Sequence, residues 1–122
     1  MHDLVVEIPN KPGALASFAK AISDAGVNLA AATCLGTHET VELHILVPHA
    51  EAVRHALAIS HVGVSREQEV VVVDVEDNPG VLADLTAKVA KAGVDLDLVY
   101  VATRNRLVFG SPDIEGLRRA LS

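Results

Sequence analysis

Short β-branched runs alternate with amphipathic segments along this chain, and the alternation occurs twice. Residues 4–8 and 70–75 are rich in valine, which is typical of strands. In residues 15–25 and 82–92 the apolar positions recur every three or four residues, the spacing of a helix with one buried face. Each half of the chain therefore begins with a predicted strand followed by a predicted helix.

A hairpin and a second helix complete each half. The predicted strands and helix are 28–35, 41–47 and 49–58 in the first half, and 95–103, 106–110 and 112–121 in the second. Leu43, Ile45 and Val47 occupy alternate positions of their strand, which predicts one buried face. Leu46 falls on the other face. A short strand at 62–65 is expected to end the first half, and the second half stops before an equivalent strand.

The two halves are related by an offset of 67 residues. Without a gap, NKPGAL (10–15) aligns with DNPGVL (77–82), and AGVNL (25–29) aligns with AGVDL (92–96). The glycine of each AGV is expected to end the first helix of its half, since glycine adopts the left-handed conformation at little cost. The repeat predicts two units of similar fold.

Composition and charge narrow the functional class. The formal net charge is −6, which argues against binding to the phosphates of nucleic acid. Cys34 is the only cysteine, so no disulfide within the chain is expected. No leader segment and no apolar run of membrane-spanning length is visible in the sequence. We therefore expect a cytoplasmic protein that does not bind a membrane.

The repeated motif resembles the ACT domain. The resemblance rests on the two Pro-Gly turns and the two helix ends quoted above, and it covers nearly the whole chain as two tandem copies, 1–66 and 67–122. It implies an α+β fold of two ferredoxin-like βαββα(β) units, each an antiparallel sheet with helices packed on one face. The second copy is expected to lack its final strand.

The resemblance also implies a regulatory role and a ligand class. ACT domains usually bind a small effector, most often an amino acid, and regulate metabolism. The sequence contains none of the common nucleophile, metalloprotease or nucleotide-binding motifs. We therefore expect a regulatory protein with no enzyme activity and no cofactor.

The resemblance places the effector near the first strand–helix loop, commonly between paired domains. Carried over residue by residue, it implies a site made of each loop and the polar residue that begins the next strand. The candidate residues are Asn10, Lys11, Pro12, Gly13, Ala14, Leu15 and Asn28 in the first copy, and Asp77, Asn78, Pro79, Gly80, Val81, Leu82 and Asp95 in the second.

These residue types suit a zwitterionic ligand. A helix N-terminus offers unpaired N–H groups and partial positive charge to a carboxylate. We expect the free amides to come from Gly13, Ala14 and Leu15 and from their counterparts in the second copy. The Asn and Asp side chains would accept from the ammonium group. The first copy is favoured, because Lys11 adds a positive charge where the second copy has Asn78.

Two alternatives stay open. The first is a ligand-free dimerisation or assembly module. The run 70–75 would form an exposed edge strand that either the short strand 62–65 or a second copy of the chain can cover, and we expect a homodimer in either case. The second, less favoured alternative is a metal sensor that uses Cys34 and His44, which are expected to lie roughly opposite each other on neighbouring strands. No metal site is assigned.

Overall fold

The computed structural model describes the backbone of residues 1–122 and the side chains of all of them except Thr37. The chain divides into two compact units, Met1–Gln68 and Glu69–Ser122. The elements in chain order are β1 (His2–Pro9), α1 (Ala14–Asp24), β2 (Ala31–Thr37), β3 (Thr40–Val47), α2 (Ala50–Ile59), β4 (Arg66–Glu69), β5 (Val71–Asp74), α3 (Val81–Lys91), β6 (Leu98–Ala102), β7 (Arg106–Gly110) and α4 (Ile114–Leu121).

The first unit is a four-stranded sheet with both helices on one face. The strand order is β2-β3-β1-β4, and β3 pairs antiparallel with both β1 and β2. Phe18 of α1 and Leu57 of α2 pack with Leu4, Leu43 and Ile45 in one apolar cluster. Burial of this helix-facing side supplies the main stabilisation of the unit.

The opposite face of this sheet is also buried in part. Leu46 and Val5 lie on that face and are 0% and 3% exposed, respectively. The expectation of a single buried face on β3 was therefore wrong. Alternation along a strand predicts one solvated face only where nothing covers the second face.

The fourth strand begins four residues later than predicted. His61 adopts a left-handed φ of 61°, and the Val62 N–H donates to the Leu57 carbonyl oxygen over 2.9 Å. This turn holds Val62 and Val64 against the helix-facing cluster instead of in a strand. The sheet is rejoined at Ser65, whose N–H donates to the Val5 carbonyl oxygen over 2.8 Å, and β4 then runs from Arg66 to Glu69.

The second unit repeats this architecture with three strands. The order is β5-β7-β6, both pairs are antiparallel, and no strand among the described residues pairs with the outer edge of β5. Val89, Leu107, Phe109 and Leu117 form the core between this sheet and helices α3 and α4. The predicted fold class of two ferredoxin-like α+β units is confirmed.

None of the helices that the structure describes combines the length and the apolar character needed to span a membrane.

Candidate effector site

The Pro-Gly pair of the first unit forms a type II turn that leads into α1. The Ala14 N–H donates to the Lys11 carbonyl oxygen over 3.3 Å, which closes a four-residue turn. Gly13 stands at its third position with φ 86° and ψ −14°, close to the values of a type II turn. Proline presets the second position of such a turn, and glycine provides the positive φ of the third.

The second unit repeats the turn at the equivalent residues. The Val81 N–H donates to the Asn78 carbonyl oxygen over 3.4 Å, and Gly80 has φ 90° and ψ −9°. Pro12 and Pro79 therefore lie in these turns and precede the helices.

The turns change which amides are available at the helix N-termini. Ala14 and Val81 use their N–H groups within the turns, contrary to the expectation that these groups are free. Gly13 and Gly80 are the N-cap residues of α1 and α3, and no side chain caps the N-terminus of either helix. The N–H groups of Leu15 and Leu82 lie in the first helical turn, where no intrahelical acceptor exists. Amides of this kind can donate to an anionic group that approaches the turn.

Asn10 ties the first loop to the neighbouring hairpin. Its side-chain amide donates to the His38 carbonyl oxygen over 2.9 Å, and its backbone N–H donates to Glu39 over the same distance. The amide oxygen of Asn10 is the part of the side chain suited to accept from a ligand ammonium. Asn10 thus has a structural role that the sequence did not indicate.

The second loop is held in a similar way but through its backbone. The Val75 N–H donates to the Asn105 carbonyl oxygen over 2.9 Å, at the turn between β6 and β7. Within the loop, the Asn78 side-chain amide donates to Glu76 over 3.0 Å. The β5–α3 loop and the β6–β7 turn are therefore fixed side by side.

A cavity of about 170 Å³ lies between this loop and this turn. Four predicted site residues line it: Asp77, Asn78, Val81 and Leu82. Six further lining residues were missed by the sequence analysis: Val75, Glu76, Val101, Asn105, Arg106 and Leu107. The pairing of β7 with both β5 and β6 brings the residues of these strands to the loop. The strand order of a ferredoxin-like sheet is the signal that could have found them.

Asn28 and Asp95 lie away from the loops of their own units. The β1–α1 loop is at the N-terminal end of α1, whereas Asn28 follows its C-terminal end and lines a separate cavity of about 370 Å³ beside α2. Asp95 is exposed in the connection between α3 and β6. Their expected contact with the loop of a partner domain stays a prediction.

The β2–β3 register separates Cys34 from His44. Thr33 pairs with His44, and Cys34 pairs with Leu43, so the two candidate metal ligands project from opposite faces of the sheet. The expected pairing of Cys34 with His44 was therefore wrong by one residue. Among the described side chains, no group of three or more His, Cys, Asp or Glu is placed to hold a metal ion.

His44 belongs instead to a polar network on the sheet face opposite the helices. Its Nδ1 lies 2.7 Å from Asp3 Oδ2, and its Nε2 lies 2.9 Å from Glu42 Oε1. Because ionised carboxylates only accept, both contacts are satisfied when both ring nitrogens carry a proton. Arg66 of β4 donates to the same Glu42 oxygen. The network links β1, β3 and β4 and stabilises the sheet.

Arg66 also sets the protonation of Glu42. Its hydrogen bond holds the pKa of the Glu42 carboxyl below its ordinary value of 4.5, with a smaller contribution in the same direction from His44, and partial burial opposes both. Glu42 is therefore a structural carboxylate at neutral pH.

His49 and His55 line an open cleft of about 780 Å³ together with His2, Arg54 and Glu67. The two histidines are six residues apart, a spacing that does not place them on one face of a helix. His49 precedes α2 at the N-cap position without a side-chain capping hydrogen bond, and His55 lies within the helix. Arg54 donates to Glu67 over 2.6 Å across it.

The fold and the turns define a class of protein: two ferredoxin-like units, each with a glycine-dependent turn at the start of its first helix. Residues 2–59 match the family model of the ACT domain. The first unit is thus similar to the ACT domain, and the ferredoxin-like second unit is consistent with a tandem ACT arrangement. Among curated proteins, no sequence match is found.

Solved structures share this fold over almost the whole chain. Protein BT0572 from Bacteroides thetaiotaomicron is similar with a TM-score of 0.86 and 22% identity, over 98% of this chain and 85% of that chain. The ligand-free regulatory subunit of aspartate kinase from Thermus thermophilus is similar with a TM-score of 0.69 and 17% identity, over 98% and 89%. The regulatory subunit of aspartate kinase from Thermus flavus is similar with a TM-score of 0.62 and 18% identity, over 98% of this chain and 90% of that chain.

Proposed function

We propose that this chain is a non-catalytic regulatory protein that binds an amino acid or similar small metabolite at the loops 10–15 and 77–82. The observation that carries the proposal is the cavity against the β5–α3 loop, where four residues expected in the site lie together. The similarity in fold to regulatory subunits of aspartate kinase supports a regulatory role.

The chemistry of the second loop suits a zwitterion. The ligand carboxylate binds the N–H of Leu82 at the uncapped N-terminus of α3, where the partial positive charge of the helix is greatest. The ligand ammonium binds the exposed carboxylate of Asp77. In the first copy, Lys11 and the amide oxygen of Asn10 take the corresponding roles.

A homodimer completes the proposed assembly. Within the described chain the outer edge of β5 has no strand partner, so a second copy can pair with it. The second copy then brings its polar residue, Asn28 or Asp95, towards a loop. The regulated enzyme is reached in trans. The cytoplasmic location and the repeat boundary between residues 66 and 67 stay predictions of the sequence.

A thermal-shift panel of the twenty amino acids tests this function. A ligand present at one hundred times its dissociation constant adds about 2.7 kcal/mol to the free energy of unfolding. We expect at least one amino acid to do so, and Asp77→Asn to reduce the effect. Asp84→Asn is the matched control, because it removes the same charge from α3 outside the cavity.

The assembly module is the second candidate, favoured by one observation. Within the described chain the outer edge of β5 has no strand partner, and an unpaired valine-rich edge invites pairing with another chain. Sedimentation velocity over a hundredfold range of concentration distinguishes the two functions. A stable dimer that no amino acid alters or stabilises supports the assembly module and contradicts an effector site.

A further inference from the structure

We propose that the cavity of the second unit selects an amino acid with a branched aliphatic side chain. The inference rests on the proposed function and names the ligand class of that site. It also assigns selectivity to the second copy, whereas the charge of Lys11 favoured the first.

The walls of the cavity are aliphatic on one side. Val81 and Leu82 contribute from the first turn of α3, and Val101 and Leu107 contribute from directly paired positions of β6 and β7. Leu107 is 7% exposed, whereas Leu82 and Val101 remain 48% and 70% exposed. A ligand methyl group that covers these two side chains removes apolar surface from water on both partners.

The first unit presents a weaker wall at the equivalent positions. With the offset of 67 residues, Ala14 stands in place of Val81 and Cys34 in place of Val101, while Leu15 corresponds to Leu82. Two of the aliphatic side chains are thus replaced by smaller ones. The second copy therefore offers the larger apolar contact for a ligand side chain.

The volume admits a small aliphatic side chain. The cavity measures about 170 Å³. An engineered apolar cavity of about 150 Å³ holds a benzene molecule. A side chain of three or four carbons therefore fits, together with part of the ligand backbone.

Polar residues line the rest of the cavity. Glu76, Asp77 and Asn78 contribute from consecutive positions of the β5–α3 loop, and Asn105 and Arg106 contribute from the end of the β6–β7 turn. The Arg106 guanidinium donates to the carbonyl and hydroxyl oxygens of Thr103. The carboxylates of Glu76 and Asp77 suit the ammonium group of the ligand and repel a carboxylate on its side chain. A hydroxyl packed against the aliphatic residues finds no hydrogen-bond partner there, which is costly.

Isothermal titration with valine and threonine tests the selectivity most simply, because the two side chains have nearly the same shape. An apolar pocket discriminates against an added hydroxyl by about 100-fold. We expect valine, leucine or isoleucine to bind, and threonine to bind about 100-fold more weakly than valine. Aspartate should not bind measurably in the same concentration range.

Leu82→Ala and Ile59→Ala form a matched pair of variants. Both aliphatic side chains belong to helices and are 48% and 70% exposed, so neither substitution threatens the core, and Ile59 of α2 does not line the cavity. Leu82→Ala should weaken binding of the aliphatic ligand about tenfold or more, and Ile59→Ala should leave it unchanged.

The outcomes separate this inference from the proposed function. Binding of polar amino acids as tightly as valine, or equal loss in both alanine variants, overturns the inference and leaves an effector site intact. Absence of binding for every amino acid overturns the proposed function as well.

Discussion

Replacement of Gly13 or Gly80 by alanine tests the turn on which the candidate site is built. Both glycines have left-handed φ values, 86° and 90°, and a Cβ at either position would meet no heavy atom within 4 Å. A new Cβ therefore makes no steric clash with neighbouring residues, and the loss of stability arises only from the unfavourable backbone conformation of alanine at this φ. A non-glycine residue in this region costs about 1–2 kcal/mol.

The net loss is smaller, because alanine also restricts the unfolded chain. This restriction stabilises a protein by about 0.4–1 kcal/mol when the native conformation tolerates the new residue. The free energy of unfolding of Gly13→Ala and Gly80→Ala should therefore fall by about 1 kcal/mol in urea denaturation. With a urea dependence of about 1–3 kcal/mol per molar, the midpoint should decrease by about 0.3–1 M.

Gly63→Ala provides the matched control. Gly63 also has open space around its Cβ position but lies outside the left-handed region. Its replacement should be neutral or stabilise by up to about 1 kcal/mol. If Gly13→Ala and Gly80→Ala were no less stable than Gly63→Ala, the type II turns would be wrong, and with them the position of the proposed site.

Three further predictions concern the cap of α4, the Glu42 carboxylate and the turn between β6 and β7. Asp113 caps α4 by accepting from the Gly116 N–H over 3.0 Å, so Asp113→Ala should cost about 1 kcal/mol in urea denaturation, and an unchanged midpoint would contradict the cap. Glu42→Gln should lower stability at neutral pH. The difference in free energy of unfolding between Glu42→Gln and the unaltered chain should shrink as the pH falls below 4.5. The reason is that the Glu42 carboxyl has a lower pKa in the folded state, so the unfolded state takes up a proton first. A difference that does not depend on pH would refute the role of Arg66. Arg104 has a φ of 62°, so Arg104→Gly should be neutral or raise stability by up to about 1 kcal/mol, and a loss above that size in thermal unfolding would contradict strain at the β6–β7 turn.

The repeated local signals predicted the fold well. Gly26 and Gly93 follow the last residues of α1 and α3 with φ values of 73° and 72°, as expected for glycines that end helices. The first strand and helix of each half lie where their periodicity placed them, within a few residues. These features depend on short-range geometry, which residue type and spacing determine directly.

Features that depend on pairing between distant residues were harder to predict. The register of β2 on β3 differs by one residue from the expected pairing, which was enough to move His44 and Cys34 to opposite faces. Similarly, the burial of Leu46 depends on what covers the second face of the sheet, and alternation along one strand carries no information about that cover.

The candidate site shows the same division. The Pro-Gly motif identified the loops, because the turn requires those two residue types. The use of the Ala14 and Val81 amides within the turns, and the contribution of Val101 and Leu107 to the cavity, follow from hydrogen bonds and strand pairing that spacing alone does not fix.

The central claim is that an amino acid binds against the β5–α3 loop. Backbone amide chemical shifts, followed by NMR as the amino acid is added, test it most directly. We predict that the largest changes occur at Gly80 and Leu82, with smaller ones at Val101 across the cavity. Changes confined to the His49–His55 cleft, or saturable binding without change at 77–82, would contradict the claim.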